Sequence, residues 1–225
     1  MYTIAKNVQS EKGKPDFREM TEEIITATLE QEILVGEIRP GTELVQVDLA
    51  NRFAVSRIPV RDALRRLAAL GLVTISPNRG ARVVQLTLDD VREIYDLRAL
   101  LECDCLRHAM DRMTDDDLQR IEHALAKSNL DALTDAWAEG DWFFHETLYA
   151  PAGRNHQIEL IRNLRNRCRT HVAAYRTLLE ETPRWLGGHE RLVGFCRKGD
   201  IEAAVGALAK HITAAGNTLL ETMRT

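Results

Sequence analysis

No stretch of this chain approaches the ~18 consecutive apolar residues that a membrane-spanning helix needs. Its polar N-terminus, MYTIAKNVQSEKGKPDF, also has no apolar run of the kind a signal peptide uses. These absences argue against membrane insertion and export, and imply a cytoplasmic location. Cysteine is scarce: Cys103, Cys105, Cys168 and Cys196 form no CxxC pair, and the CxC at 103 and 105 points both side chains off one short helical arc. They read as reduced thiols. There is no HExxH, and no histidine has a glutamate three residues before it, which removes the zinc-protease helix and the Glu-x-x-His di-iron pattern. Internal repeats and low-complexity segments are absent too.

What is present is a chain of 225 residues with 44% apolar content, enough for one large or two ordinary globular domains with buried cores. Its formal charge of minus 4 is unevenly spread. Residues 47–82 hold seven arginines (Arg52, Arg57, Arg61, Arg65, Arg66, Arg79 and Arg82) against Asp48 and Asp62, so that window carries plus 5 and the remainder minus 9. The asymmetry points to an anion-binding module joined to an acidic body.

Residues 1–17 are polar and aperiodic, which predicts a flexible arm. From Phe17 to Val35 the positions Met20, Ile24, Ile25, Thr28, Leu29 and Leu34 recur at helical spacing until Gly36, Pro40 and Gly41 break the pattern. The short QVDLANRF follows, then Ser56 as the N-cap of a second helix over Pro59–Leu70, with Gly71 ending it. Two β-branched runs around Pro77, Asn78 and Gly80 predict a small hairpin. Beyond Leu86 the pattern is helical throughout. TLDD at 87–90 and TDDD at 114–117 resemble capping boxes with Asp in place of Glu. Periodic segments run roughly over 89–110, 115–128, 131–149, 154–179, 185–198 and 201–222, which predicts a bundle of six or seven helices. The expected organisation is an arm at 1–17, a winged helix-turn-helix at 18–86 and an all-α domain at 87–225.

A helix, a tight turn, a helix with basic first turns and then a β-hairpin describe a winged helix-turn-helix, whose second helix enters the major groove of duplex DNA. Ser56 and Arg57 lie at that helix's N-terminus, where the backbone N–H groups and helix dipole favour phosphate. Arg61 follows Arg57 by one turn on the same face. Either arginine can hold guanine O6 and N7, or a phosphate, in a bidentate fork. Arg65 continues the face toward phosphate, while Arg79 and Arg82 flank Gly80 at the hairpin tip, where a wing meets the backbone or minor groove. A single such arginine more often pairs with a surface acid; turn, cap, basic face and basic hairpin together favour DNA. The segments EILVGEIRPGTEL, VSRIPVRDALRRLAALGLV and NRGARVV resemble the DNA-binding domain of GntR-family transcriptional regulators over about residues 20–85. The departures are Ile58 in place of Thr, Asp62 in place of Glu, and Val47 where some members carry a basic DNA contact. The resemblance implies that Ser56, Arg57 and Arg61 read the operator and that Gly80 belongs to the wing tip.

In the acidic part, Asp141 and His145 of DWFFHETLY are four apart, so one helix face presents a carboxylate beside an imidazole. His189 in GGHERLVGFC and His211 in ALAKHITAAG have apolar residues one turn away and face a bundle interior. One Asp and three His suit Zn, Ni, Co or Mn, although a histidine near apolar residues is more often a hydrogen-bonded core group. Glu146 and Glu190 directly follow two of these histidines and point away from them, so an enzyme would lack its general base. His108, His123, His156 and His171 read as surface or capping groups. Trp142 and Phe143 beside the motif are candidate cavity walls, but simple packing is the commoner use.

Residues 87–225 resemble the FCD effector-binding domain of the FadR subfamily, whose D-x-x-F-H-x-x-L, later His and G-D-x-x-A before a final His are filled here by DWFFHETL, His189 and GDIEAAVGALAKH; Asn155 also matches. The resemblance implies a divalent transition metal, Zn first, on Asp141, His145, His189 and His211. It also implies a small carboxylate effector: a sugar acid, hydroxy acid or dicarboxylate. Arg98 matches an arginine that points into the pocket and would clamp the carboxylate, with an i,i+4 pair to Glu102 as the alternative. Trp185, one turn before His189, is the further pocket residue. The expected protein is a homodimeric, ligand-responsive regulator, commonly a repressor, on a pseudo-palindromic operator, with the same regulator carrying structural histidines and a metal-free pocket as the main alternative and a metal-dependent helical-bundle enzyme as a remote one.

Overall fold

A computed structural model describes residues 17–76, 80–132, 134, 137–172 and 182–224; of these, the side chains of 17–20, 172 and 182–185 also lie outside the description. The expected N-terminal arm therefore falls almost wholly outside it, as does Arg79. Nine α-helices and three short strands are found among the described residues.

The N-terminal unit runs α1 (Phe17–Leu34), β1 (Glu43–Leu44), α2 (Gln46–Arg52), α3 (Arg57–Ala69), β2 (Val73–Ser76) and β3 (Gly80–Val83). Ile25, Leu29 and Ile33 of α1, at i, i+4 and i+8, are buried, while the expected core position Ile24 is exposed. They meet Val60, Ala63, Leu64 and Leu67 on the apolar side of α3, in one core with Val73, Ala81 and Val83 of the sheet. Each such burial is worth about 1.5–3 kcal/mol for the larger side chains, which fixes α3 with its arginines outward. Helix α3 begins at Arg57, two residues before the expected start, because Ser56 is the extended residue at the N-cap; the Ser56 side chain makes no cap hydrogen bond.

The expected hairpin is part of a three-stranded antiparallel sheet of order β1-β3-β2. Strand β1 is two residues long, too short for any alternation to mark it, and Glu43 pairs with Arg82 across it. Gly80 holds φ 119°, and a Cβ there would stand 2.1 Å from the Leu44 carbonyl oxygen, so the close approach of β3 to β1 requires glycine.

Core membership changes between Val83 and Val84. The second unit comprises α4 (Leu88–Met110), α5 (Asp115–Asp131), α6 (Trp137–Tyr149), a 3-10 turn at Ala150–Ala152, α7 (Asn155–Val172), α8 (Thr182–Arg197) and α9 (Ile201–Thr222). Thr87 and Thr114 form complete capping boxes with Asp90 and Asp117. Helix α4 lies along α9, α5 along α6, and α8 along α9. Their core includes Leu106, Ile121, Phe144, Tyr149, Ile161 and Leu208.

Helix α7 joins the two units. Asn166 Nδ2 donates to the Leu70 carbonyl at the end of α3 at 3.2 Å. His171, read from sequence as a surface or capping group, is buried; its Nε2 accepts the Leu86 N–H at 3.0 Å, while Thr170 Oγ1 lies 3.0 Å from its Nδ1. A linker N–H buried between two cores needs an acceptor, and this imidazole supplies it.

Candidate functional site

On α3 the predicted arginines project into solvent with weak, exposed partners. Arg57 Nη2 is 3.4 Å from Gln46 Oε1, Arg61 Nε is 3.4 Å from Asp62 Oδ1, and Arg65 Nη1 is 3.3 Å from the same oxygen. Ile58, between the first two, is 51% exposed, which leaves an apolar group on an otherwise basic face. Arg66 turns back to Glu22 and Glu23 of α1 and is separate from that face. Arg82 donates to the Gly41 carbonyl at 2.9 Å and pairs with Glu43, so it also ties β3 to β1.

The helical unit brings His145 of α6, His189 of α8 and His211 of α9 together, with one ring nitrogen of each within 4.8 Å of the others. Asp141, one turn before His145, places Oδ1 3.4 Å from His189 Nε2 and 3.7 Å from His145 Nε2. Gly188 makes room: a Cβ at that position would stand 2.8 Å from His211 Nδ1. On its outer side His211 borders an open groove of about 560 Å³ between α8 and α9, beside Gly188, Arg191 and Lys210.

His145 Nε2 and both ring nitrogens of His189 are buried with no hydrogen-bond partner among the described residues. Such atoms cost about 1–3 kcal/mol each if nothing meets them. Burial also keeps these imidazoles in the neutral, ligand-competent form. It holds His145 well below its ordinary value, helped by the charge of Arg165; it lowers His189; and it brings His211 down to about 3. Three neutral imidazoles and an ionised carboxylate are a donor set suited to a divalent transition metal.

Behind the cluster lies a buried polar network. Tyr149 donates to Glu102 Oε2 at 2.7 Å and stands 3.1 Å from His145 Nδ1. With the Tyr149 O–H directed at Glu102, the tyrosine oxygen accepts from Nδ1–H, which assigns the lone pair of His145 to Nε2, the atom facing the cluster. Arg98 Nε donates to Glu102 Oε1 at 2.9 Å, so the i,i+4 pair is present, and the same guanidinium lines a cavity. Arg165 of α7, unmarked in the sequence reading, donates to Glu102 Oε2 at 2.9 Å and also holds Asp141. Glu102 is fully buried, and the two arginines keep its carboxyl below the usual carboxylate range against the opposing effect of burial.

The cavity, of about 70 Å³, is lined by Arg98, Asp141, Trp142, Arg165 and His211 among others. Phe143 is 39% exposed and is absent from that lining. The Trp185 side chain lies outside the described residues. All four cysteines are free, with thiols pushed up to about 11 by burial. Among the described residues no helix is long and apolar enough to cross a membrane.

The family model of bacterial regulatory proteins, gntR family, matches residues 21–83, and that of the FCD domain matches residues 93–214. The chain is 30% identical over 208 residues to the HTH-type transcriptional regulator LutR of Bacillus subtilis (strain 168), covering 79% of this chain and 91% of that protein. It is 29% identical over 194 residues to the HTH-type transcriptional repressor RspR of Escherichia coli (strain K12), covering 82% of each. A solved structure, a transcriptional regulator GntR from Rhodococcus sp. RHA1, superposes with a TM-score of 0.73 at 25% identity, over 90% of this chain and 98% of that one.

Proposed function

The chain belongs to the GntR family of bacterial regulatory proteins, in the FadR-type architecture that joins a DNA-binding head to an FCD domain, and from that premise we propose a homodimeric, acid-responsive repressor. It is a transcriptional regulator rather than an enzyme. Two copies set their α3 helices on the half-sites of a pseudo-palindromic operator. Ser56, Arg57 and Arg61 meet base edges or phosphate, Arg65 meets phosphate, and Arg79, Gly80 and Arg82 form the wing contact.

The helical domain senses a small organic acid beside a divalent ion, Zn first, with Ni, Co or Mn as alternatives. Asp141, His145, His189 and His211 would hold the ion, which would supply a positive charge and open positions for a carboxylate. This chain's own residues prepare the site: Glu102 and Tyr149 fix the tautomer of His145, Arg165 fixes Asp141, and Arg98 offers its remaining N–H groups to the acid. The observation that carries the reading is the set of unpartnered, neutral imidazole nitrogens facing one another beside an ionised carboxylate. A ligand that prefers one dimer arrangement by about 1–3 kcal/mol changes operator affinity several-fold to a hundredfold.

Metal analysis of protein purified without a histidine tag tests the metal directly: about one ion per chain is expected, and a stoichiometry near zero contradicts it. Selection from random duplexes tests the operator, which should emerge as an inverted repeat.

A further inference from the structure

Of the guanidiniums that line the cavity beside the histidines, one lacks a carboxylate in direct contact. Three guanidiniums line it: Arg98, Arg165 and Arg169. Two carboxylates serve them, and both are committed, Glu102 to Arg98 and Arg165, and Asp141 to Arg165. The histidines are neutral and add nothing. Arg169 is left with a 3.4 Å bond from Nη1 to Asn166 Oδ1, and its Nε is buried with no hydrogen-bond partner. No carboxylate is within ion-pair distance of it among the described residues. Burial disfavours its charge, and the acids that act on it, Glu30 on α1 of the DNA-binding head first, then Glu139 and Asp141, do so without an ion-pair contact. A buried guanidinium held in this way lacks a directly bound anion.

We propose that Arg169, oriented by Asn166, is a second anion subsite of this cavity, so that the effector is a small dicarboxylate with one carboxylate at the histidine end and the other on Arg169. The proposal rests on the reading that an acid binds beside the histidines. A cavity of about 70 Å³ has room for roughly half a dozen water-sized groups, which suits a diacid of about two to four carbons. The location also gives the second carboxylate a regulatory consequence. Asn166, which orients Arg169, also holds the carbonyl at the end of α3, and Arg169 acts through charge on Glu30 of α1, so an anion on Arg169 alters both the Asn166 link and the charge that faces the head.

Calorimetric titration of full-length protein carrying one equivalent of zinc, with malonate against propionate and succinate against butyrate, tests it. At least one diacid is expected to bind ten-fold or more tightly than its monoacid partner. Arg169→Gln should bring that diacid to the monoacid's affinity while leaving the monoacid within two-fold. Arg169→Lys should retain part of the preference. Equal affinity for diacid and monoacid in the wild type, or an Arg169→Gln loss that falls equally on both, overturns the subsite while leaving carboxylate sensing intact. Absence of binding by any of the four acids overturns both. The comparison of acids in the wild type stands even if a variant fails to fold.

Discussion

Arg57, Arg61 and Arg65 of α3 stand in solvent with partners 3.3 to 3.4 Å away, whereas Arg98 and Arg165 of the helical domain are nearly buried and fixed on Glu102 at 2.9 Å. The same side chain thus does two kinds of work. On α3 the apolar half of the helix is anchored in the core and the arginines keep only weak surface partners, which suits the proposed exchange for phosphate or guanine. Between α4, α6 and α7 the guanidiniums are locked in advance by carboxylates, so that the histidines and Asp141 keep one arrangement. Loss of a surface arginine should therefore cost binding and little stability; loss of a buried partner should cost stability first.

The largest effect is expected at Glu102. Glu102→Ala leaves Arg98 and Arg165 without their shared buried carboxylate, and urea denaturation should show a loss of about 3–5 kcal/mol. Stability within 1 kcal/mol of the wild type would mean that the network is not held as described. Next comes Arg61→Ala, which should weaken operator binding by about 1–3 kcal/mol in a gel shift while changing stability by less than about 0.5 kcal/mol. Unchanged affinity removes Arg61 from the reading face.

Helix caps sharpen the same contrast. Thr87→Ala breaks a complete capping box and should cost about 1 kcal/mol, while Ser56→Ala, with no cap bond to lose, should cost only a few tenths. Equal losses on denaturation would contradict the difference between the two caps. The smallest effect concerns the junction. Burial lowers the pKa of His171, so the unfolded chain takes up its proton first. Its contribution is present above about pH 6.5 and is lost as pH falls below that value. The stability gap between wild type and His171→Gln should narrow from pH 7.5 to pH 5.5, and a constant gap would show that His171 does not titrate as described.

Much of this architecture is legible in the chain because it is local. Thr87 and Thr114 announce their helices through an acid three residues on, the arginine face follows from i,i+4 spacing, and DWFFH places Asp141 beside His145. Tyr149 carries a signal too, one turn after His145 on the same helix, although only the fold shows that its hydroxyl reaches Glu102. Arg165 and Arg169 carry none. Their roles come from the way α7 packs against α4 and α6, and helical spacing within α7 says nothing of those neighbours. The buried role of His171 is hidden from the sequence for the same reason, since its partner is a backbone N–H 85 residues away. Strand β1 escapes notice because two residues cannot show an alternation.

If reading DNA and sensing the acid are separate tasks joined through α7, as proposed, His145→Ala should separate them. Metal content, acid response and operator affinity would be measured on one folded preparation. Metal and acid response should be lost while operator affinity without the acid stays near the wild-type value. Loss of operator binding by a folded variant, or an acid response that survives the substitution, would contradict it.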